Sequence, residues 1–226
     1  MKTLLALLAF SLMAATTRIV NFDSAQLGKT PSEWTVAMTN HGHPPQWEIV
    51  RDLSAATKPY VLAQTSTDPA RDRFPLAIYN PLRLRDGEVS VRIKPVSGHE
   101  VQAGGIVWRY RDENNYYLAR ANALEKNVQV FKVENGVRRP LMAGVRHEIP
   151  TNGWSILKVA IRGARFQVYM DHRRILQGSD STFTGAGNVG LRHRHPSASW
   201  TSGLYPLNQD QRPGGASRLA AFLIAH

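Results

Sequence analysis

The sequence predicts an all-β domain, a sandwich or jelly roll of antiparallel sheets. Three observations carry this. Apolar and polar residues alternate with period two from residue 18 to residue 191. Turn residues break the alternation at near-regular intervals, and no stretch of twelve residues holds a helical apolar stripe. Period-two alternation marks half-buried strands, because successive side chains point to opposite faces. Many short strands at regular spacing are the pattern of a sandwich.

Twelve segments fit in order: 19–22, 34–38, 47–51, 60–64, 89–94, 105–110, 116–123, 128–133, 156–161, 165–170, 174–177 and 186–191. Asp86-Gly87, Ser97-Gly98, Asn135-Gly136, Asn152-Gly153 and Arg162-Gly163 supply turns between them, as does the run Asp112 to Asn115. Residues 39–46 and 66–75 read as rim loops. The chain has 226 residues, 42% of them hydrophobic and 20% charged. That composition supports one folded domain with a substantial core.

The ends read differently. Lys2, the apolar run 4–14 and the small residues Ala14, Ala15, Thr16 and Thr17 form a secretory signal peptide over residues 1–15. The run is too short to span a bilayer, which takes about 20 residues. The sandwich domain is placed at 18–191. Residues 192–226 lose the alternation and read as an irregular tail, with the composition of an aberrant, truncated or frameshifted end. Within it only 220–224 offers a strand that could pair with the first one. With no cysteine, disulfides, thiolate metal sites and cysteine nucleophiles are excluded.

The net charge is +11. The basic residues are scattered and match no nucleic-acid motif, so they read as solubility charge. No nucleic-acid partner and no membrane span are expected.

The polar candidates cluster around the hairpin closed by Asp112 to Asn115. Alternation places Arg109 and Arg111 on one face with Tyr116, Leu118, Arg120 and Asn122. Ile106, Trp108 and Tyr110 then share the other face with Tyr117, Ala119 and Ala121. Neighbouring strands add Arg92, Lys94 and Gln129 to the polar face. Several guanidiniums on one face suit a ligand rich in oxygen, since each presents a planar fork of donors. Few acidic residues lie on these strands to pair with them. His99 with Glu100 is a candidate acid–base pair at the edge of that face. His41 and His43 read as loop residues, and no metal ligand set is assigned.

Ordinary glycosidase machinery is missing. No Glu-x-Asp occurs, and a retaining mechanism needs two carboxyls about 5–5.5 Å apart. No Gly-x-Ser-x-Gly elbow occurs either.

The runs VLAQTSTDPARDRFPLAIYN, DGEVSVRIKPVSG and AGGIVWRYRDENNYYLARANALEKNVQVFKVENG resemble secreted bacterial proteins of the 3-keto-disaccharide hydrolase domain family. The resemblance implies a concanavalin A-like (LamG-like) jelly-roll sandwich of two antiparallel sheets in a secreted or periplasmic protein. It implies hydrolysis or elimination of 3-keto-glycosides, or glycan binding without catalysis. A keto group acidifies its neighbouring C–H, so such cleavage needs a base and an electrophile. Arg109 or Arg120 is the expected electrophile and His99 or Glu100 the base. A divalent cation such as Ca²⁺ or Mn²⁺ could replace the arginine. This chain departs from the family at its end, where a Phe-Asp-Asp strand is absent; Ser197 to Trp200 is the nearest remnant.

Overall fold

A computed structural model of the chain describes residues 17–55, 59–66, 72–96, 102–194 and 223–225. The signal-peptide expectation therefore lies outside the described residues, as do His99 and Glu100. The described residues form sixteen strands and no helix. In chain order they are β1 (Arg18–Val20), β2 (Trp34–Thr39), β3 (Trp47–Arg51), β4 (Tyr60–Gln64), β5 (Phe74–Leu84), β6 (Gly87–Ile93), β7 (Ala103–Asp112) and β8 (Asn115–Asn122). Next come β9 (Asn127–Glu134), β10 (Val137–Pro140), β11 (Val145–Arg146), β12 (Ser155–Arg162), β13 (Arg165–Met170), β14 (Arg173–Ser179), β15 (Gly187–Arg194) and β16 (Leu223–Ala225).

Two antiparallel sheets make the jelly-roll sandwich. One runs β10-β9-β8-β7-β15-β5-β2, with β11 paired to β9 as an eighth strand. The other runs β1-β16-β6-β12-β13-β14, and β3 and β4 form a separate hairpin. The inner faces alternate as expected. Ile106, Trp108, Tyr117, Ala119 and Ala121 of the larger sheet meet Val89, Val91, Leu157, Val159, Phe166 and Val168 of the smaller, all buried. Trp108 stacks on Tyr117 at 5.3 Å and tilts against Phe166 at 5.9 Å.

Three strands escape the alternation rule for physical reasons. β5 reads FPLAIYNPLRL, and its first six residues are all buried. A strand covered on both faces has no polar side to alternate with. β10 and β11 are short edge strands whose sequences, VRRP and VR, carry no periodic signal. β15 continues through Arg194, past the expected boundary at 191. β16 inserts between β1 and β6, with Ile19 opposite Ile224 and Val91 opposite Leu223.

The larger sheet is strongly curled. The guanidinium of Arg138, on β10, lies 4.7 Å from the ring of Phe74 on β5 and 4.9 Å from that of Phe131 on β9. β10 and β5 are five strand positions apart, which in a flat sheet is about 24 Å at roughly 4.8 Å per strand. Thr39 on the edge strand β2 likewise reaches Tyr116 on β8, four positions away. The outer face of this sheet is therefore a trough with its walls drawn together. A second apolar cluster, Leu76, Ile78, Val107, Tyr116, Leu118, Phe131 and Val133, fills it.

Gly105 permits the close contact of β7 and β8 beneath this trough. A Cβ placed there would sit 2.0 Å from the Ala119 carbonyl oxygen, a backbone atom that cannot step aside. Gly105→Ala should destabilise the chain by about 1–3 kcal/mol, read as a lower urea midpoint with an unchanged slope.

Candidate functional site

The trough of the larger sheet gathers some of the expected site residues and separates others. Arg120, Asn122, Gln129 and Tyr116 do share its outer face. Arg120 stands opposite Gln129 on β9 and opposite Gly105 on β7. Arg192 on β15 is the next residue in the same row, also opposite Gly105. Glycine between the two arginines leaves room for both side chains.

Arg109 and Arg111 do not belong to this face. The β7–β8 register breaks between Trp108 and Asp112, and Arg109 adopts φ +50°. The irregularity gives β7 two more residues than β8 between the matched pairs Trp108–Tyr117 and Asp112–Asn115, and Arg109 and Tyr110 fall on the faces opposite to those that alternation assigns. Arg109 turns to the sandwich interior, only 2% exposed, and donates to the carbonyls of Phe183 (2.5 Å), Arg85 (3.2 Å) and Gly163. Arg111 lies over the Phe183 ring at 4.7 Å. Tyr110 instead joins Tyr116 on the outer face, 6.2 Å between ring centroids. Burial lowers the Arg109 pKa, and the guanidinium works as a tie between three loops.

Arg92 and Lys94 also lie elsewhere, because β6 pairs with β12 and β16 in the opposite sheet. Arg92 is exposed on that sheet. Lys94 donates to Asp52 at 2.9 Å and Ser54 at 2.8 Å, and Trp154 Nε1 donates to the same Ser54 hydroxyl. Burial alone would raise the Asp52 carboxyl, but bonds from Lys94 and Ser54 hold it below its ordinary value.

Tyr116 is on the expected face yet is fully buried, so its ring is not free to stack on a sugar. Thr39 spends its single proton on the Glu113 carbonyl at 2.6 Å, so Tyr116 OH donates to Thr39 Oγ1 at 2.7 Å. Burial raises the Tyr116 pKa, against the opposing fields of Arg192 and Arg138.

At one end of the trough the polar residues form an alternating ladder of cations and rings. Arg192 lies 4.1 Å from Phe74, Arg138 lies between Phe74 and Phe131, and Arg120 lies 5.1 Å from Phe131. Three guanidiniums are thus held against two phenyl faces. Arg120 also donates to Glu125 Oε2 at 2.5 Å and Asn127 Oδ1 at 3.0 Å. Its Nε has no partner. Two residues along, Asn122 accepts at Oδ1 from the N–H groups of Leu124 and Glu125, and its Nδ2 has no partner either. Gln129 and Arg138 are half-exposed at the mouth. Arg138, Arg192 and the two phenylalanines carry no signal in the sequence that marks them for this site. Arg192 stands in a segment that reads as tail, and Phe74 in one that reads as loop.

A second polar cluster pins the loop after β14. Tyr117 OH donates to Asp180 Oδ1 at 2.5 Å and accepts from Phe183 N–H at 3.0 Å. Lys132 donates to Thr182 at 2.8 Å. Burial pushes the Tyr117 hydroxyl up to about 12. Burial would also raise Asp180, but Tyr117, Thr182 and Lys132 hold it below the ordinary carboxylate value. Among the described residues no three histidine or acidic side chains converge as a metal site.

No family model matches the chain. A levanase from Bacillus subtilis (strain 168) is 34% identical over 105 residues, which is 46% of this chain. The match spans only 15% of the levanase. Among solved structures, the carbohydrate-binding module CBM66 from Bacillus subtilis aligns over 84% of this chain and 91% of the module, with 22% identity and TM-score 0.56. The Bacillus licheniformis β-glucanase aligns over 88% and 94%, with 12% identity and TM-score 0.52. Domain 4 of AbnA, an extracellular arabinanase from Geobacillus stearothermophilus in complex with arabinotriose, aligns over 93% of both chains with 14% identity and TM-score 0.51. These likenesses establish the fold, a concanavalin A-like jelly roll.

Arg109→Ala should unfold the chain at distinctly lower temperature, since three carbonyls lose their donor at about 1–3 kcal/mol for each one left buried and unpaired. Because the folded carboxyls of Asp180 and Asp52 are depressed, their stabilisation is present at neutral pH. It is lost as pH falls below about 4. Urea midpoints should therefore drop between pH 6 and pH 3, and Asp180→Asn should shrink that drop.

Proposed function

We propose that this chain is a non-catalytic carbohydrate-binding module of a secreted or periplasmic protein, and that it holds sugar hydroxyls at the mouth of the trough. The observation that carries this reading is the pair of unspent donors, Arg120 Nε and Asn122 Nδ2, two residues apart on one face. A buried donor without an acceptor costs about 1–3 kcal/mol. Both atoms lie beneath the surface, so a hydroxyl oxygen removes that cost once the side chains around the mouth part to admit it. Arg138 and Gln129 at the rim would contact the next sugar unit. The carboxylate bonded into the mouth, Glu125, is engaged by Arg120 and faces no second carboxylate there among the described bonds.

The levanase and module likenesses support this class of ligand, and the relative's name makes levan the first polymer to test. The resemblance to 3-keto-disaccharide hydrolases supports a second reading, in which Arg120 is the electrophile of a keto-glycoside hydrolase or lyase. That reading also needs a base, for which His99 and Glu100 remain the sequence candidates, and it leaves room for a divalent cation.

Titration calorimetry with levan and fructo-oligosaccharides tests the proposal. Asn122→Asp keeps the Oδ1 acceptor that caps Leu124 and Glu125 but removes the Nδ2 donor. We expect binding by the parent chain and at least tenfold weaker binding by this variant, measured on protein that circular dichroism shows to be folded. Full affinity in Asn122→Asp would exclude this site. No binding of any neutral glycan by folded protein would exclude the module. Sugar release from a 3-keto-glucoside, abolished in Arg120→Lys, would install the second reading instead.

A further inference from the structure

The outer face of the smaller sheet carries a groove of about 730 Å³, lined by Glu88, Ala160, Arg162, Arg165, Gln167 and Gln177 among others. That volume is within the roughly 300–1,000 Å³ usual for small-ligand clefts. The strand register sets its floor. Glu88, Ala160, Gln167 and Gln177 form one row across β6, β12, β13 and β14. Ala160 is the only short side chain of the four, and its neighbours rise on either side of it.

The chemistry of the walls is specific. The negative charge of Glu88 is taken up by Lys158 Nζ at 3.0 Å. Arg162 and Arg165 lie at one end, Arg174, opposite Tyr169, lies one row beyond the other end of the floor, and all three are exposed. None of the three makes an ion pair with a described carboxylate. The face is thus net positive, with amides at its centre. Gln167 accepts from Tyr169 OH at 2.7 Å and meets Gln177 only at 3.5 Å, so both amides keep capacity for hydroxyl groups. Lys158 lies 4.5 Å over the Tyr169 ring, which occupies the platform a nucleobase would stack on. None of the exposed large apolar residues, Ile19, Leu27, Leu53, Leu124, Val137 and Val145, lies on β12, β13 or β14. A lipid surface has nothing to insert against here.

We infer that this groove is a second binding site, separate from the trough, for an acidic polysaccharide whose carboxylates pair with Arg162, Arg165 and Arg174 and whose hydroxyls bond Gln167 and Gln177. Arginine presents two parallel N–H donors to a carboxylate. The inference rests on this face alone and stands whether or not the trough binds levan.

Polygalacturonate oligomers are the probe, with levan and a single-stranded oligonucleotide of matched charge beside them. The full chain should bind polygalacturonate, less tightly as salt rises. Arg162→Glu combined with Arg165→Glu should cost at least tenfold, and so should Ala160→Phe, which fills the groove without altering charge. Both variants should keep the parent's melting temperature and whatever affinity it has for levan. Equal binding of the oligonucleotide would reduce the face to unspecific charge and overturn the inference. So would unchanged affinity in Ala160→Phe, or no polygalacturonate binding by the folded parent.

Discussion

Buried guanidiniums organise this sandwich. Arg73, Arg109 and Arg192 are among its largest fully buried side chains, alongside Trp47 and Trp108, and Arg120 is only 7% exposed. Stripping a charge of water is expensive, and burial without compensation is not tolerated. Backbone carbonyls and ring faces supply much of the compensation among the described contacts. Arg73 donates to the His43 carbonyl and to Ser66, which ties the β2–β3 connection to the segment after β4. Arg109 ties three loops through three carbonyls. Arg120 and Arg192 lie on phenyl faces. Arg73, Arg109 and Arg192 join segments distant in sequence, in a chain with no disulfide to do so.

This accounts for the shape of the trough. Ring faces attract a guanidinium only when they come close, and Arg138 finds two of them on strands four positions apart. The sheet must curl to allow it, and curling seals an apolar cluster beneath. Tyr116 then turns from a candidate platform into a strut, its hydroxyl clamped to Thr39. The polar end reaches the surface through the half-exposed Arg138 and Gln129. Shape and chemistry at that end share one cause.

Much of the fold was legible because period-two alternation survives wherever one face meets the core and the other meets water. It failed at β5, which is covered on both sides, and at β10 and β11, which are too short for a pattern. The polar face was legible only in part. Arg120, Asn122 and Gln129 keep the parity of β8 and β9. Arg109 and Arg111 lose it at a single bulge, and a run reading Trp-Arg-Tyr-Arg contains no glycine to announce one. Arg92 and Lys94 alternate correctly, but alternation says nothing about which sheet a strand joins. Arg138 and Arg192 became visible only when the curl brought their strands to Phe74 and Phe131.

The two polar faces differ in a way that bears on what each can hold. In the trough the guanidiniums are packed against rings, Glu125 and Asn127, so what they offer a ligand is short-range hydrogen bonding. Such a site discriminates by hydroxyl geometry, and a neutral sugar bound there should be less sensitive to salt than an anion bound at exposed arginines. On the smaller sheet Arg162, Arg165 and Arg174 are exposed and pair with no described carboxylate, so their pull on an anion is long-ranged and falls with ionic strength. A surface with one site for neutral sugars and one salt-dependent site for acidic ones would grip a mixed polysaccharide matrix from both sides of the sandwich. Occupying both at once would multiply affinity, provided the polymer can reach around the sheet edge.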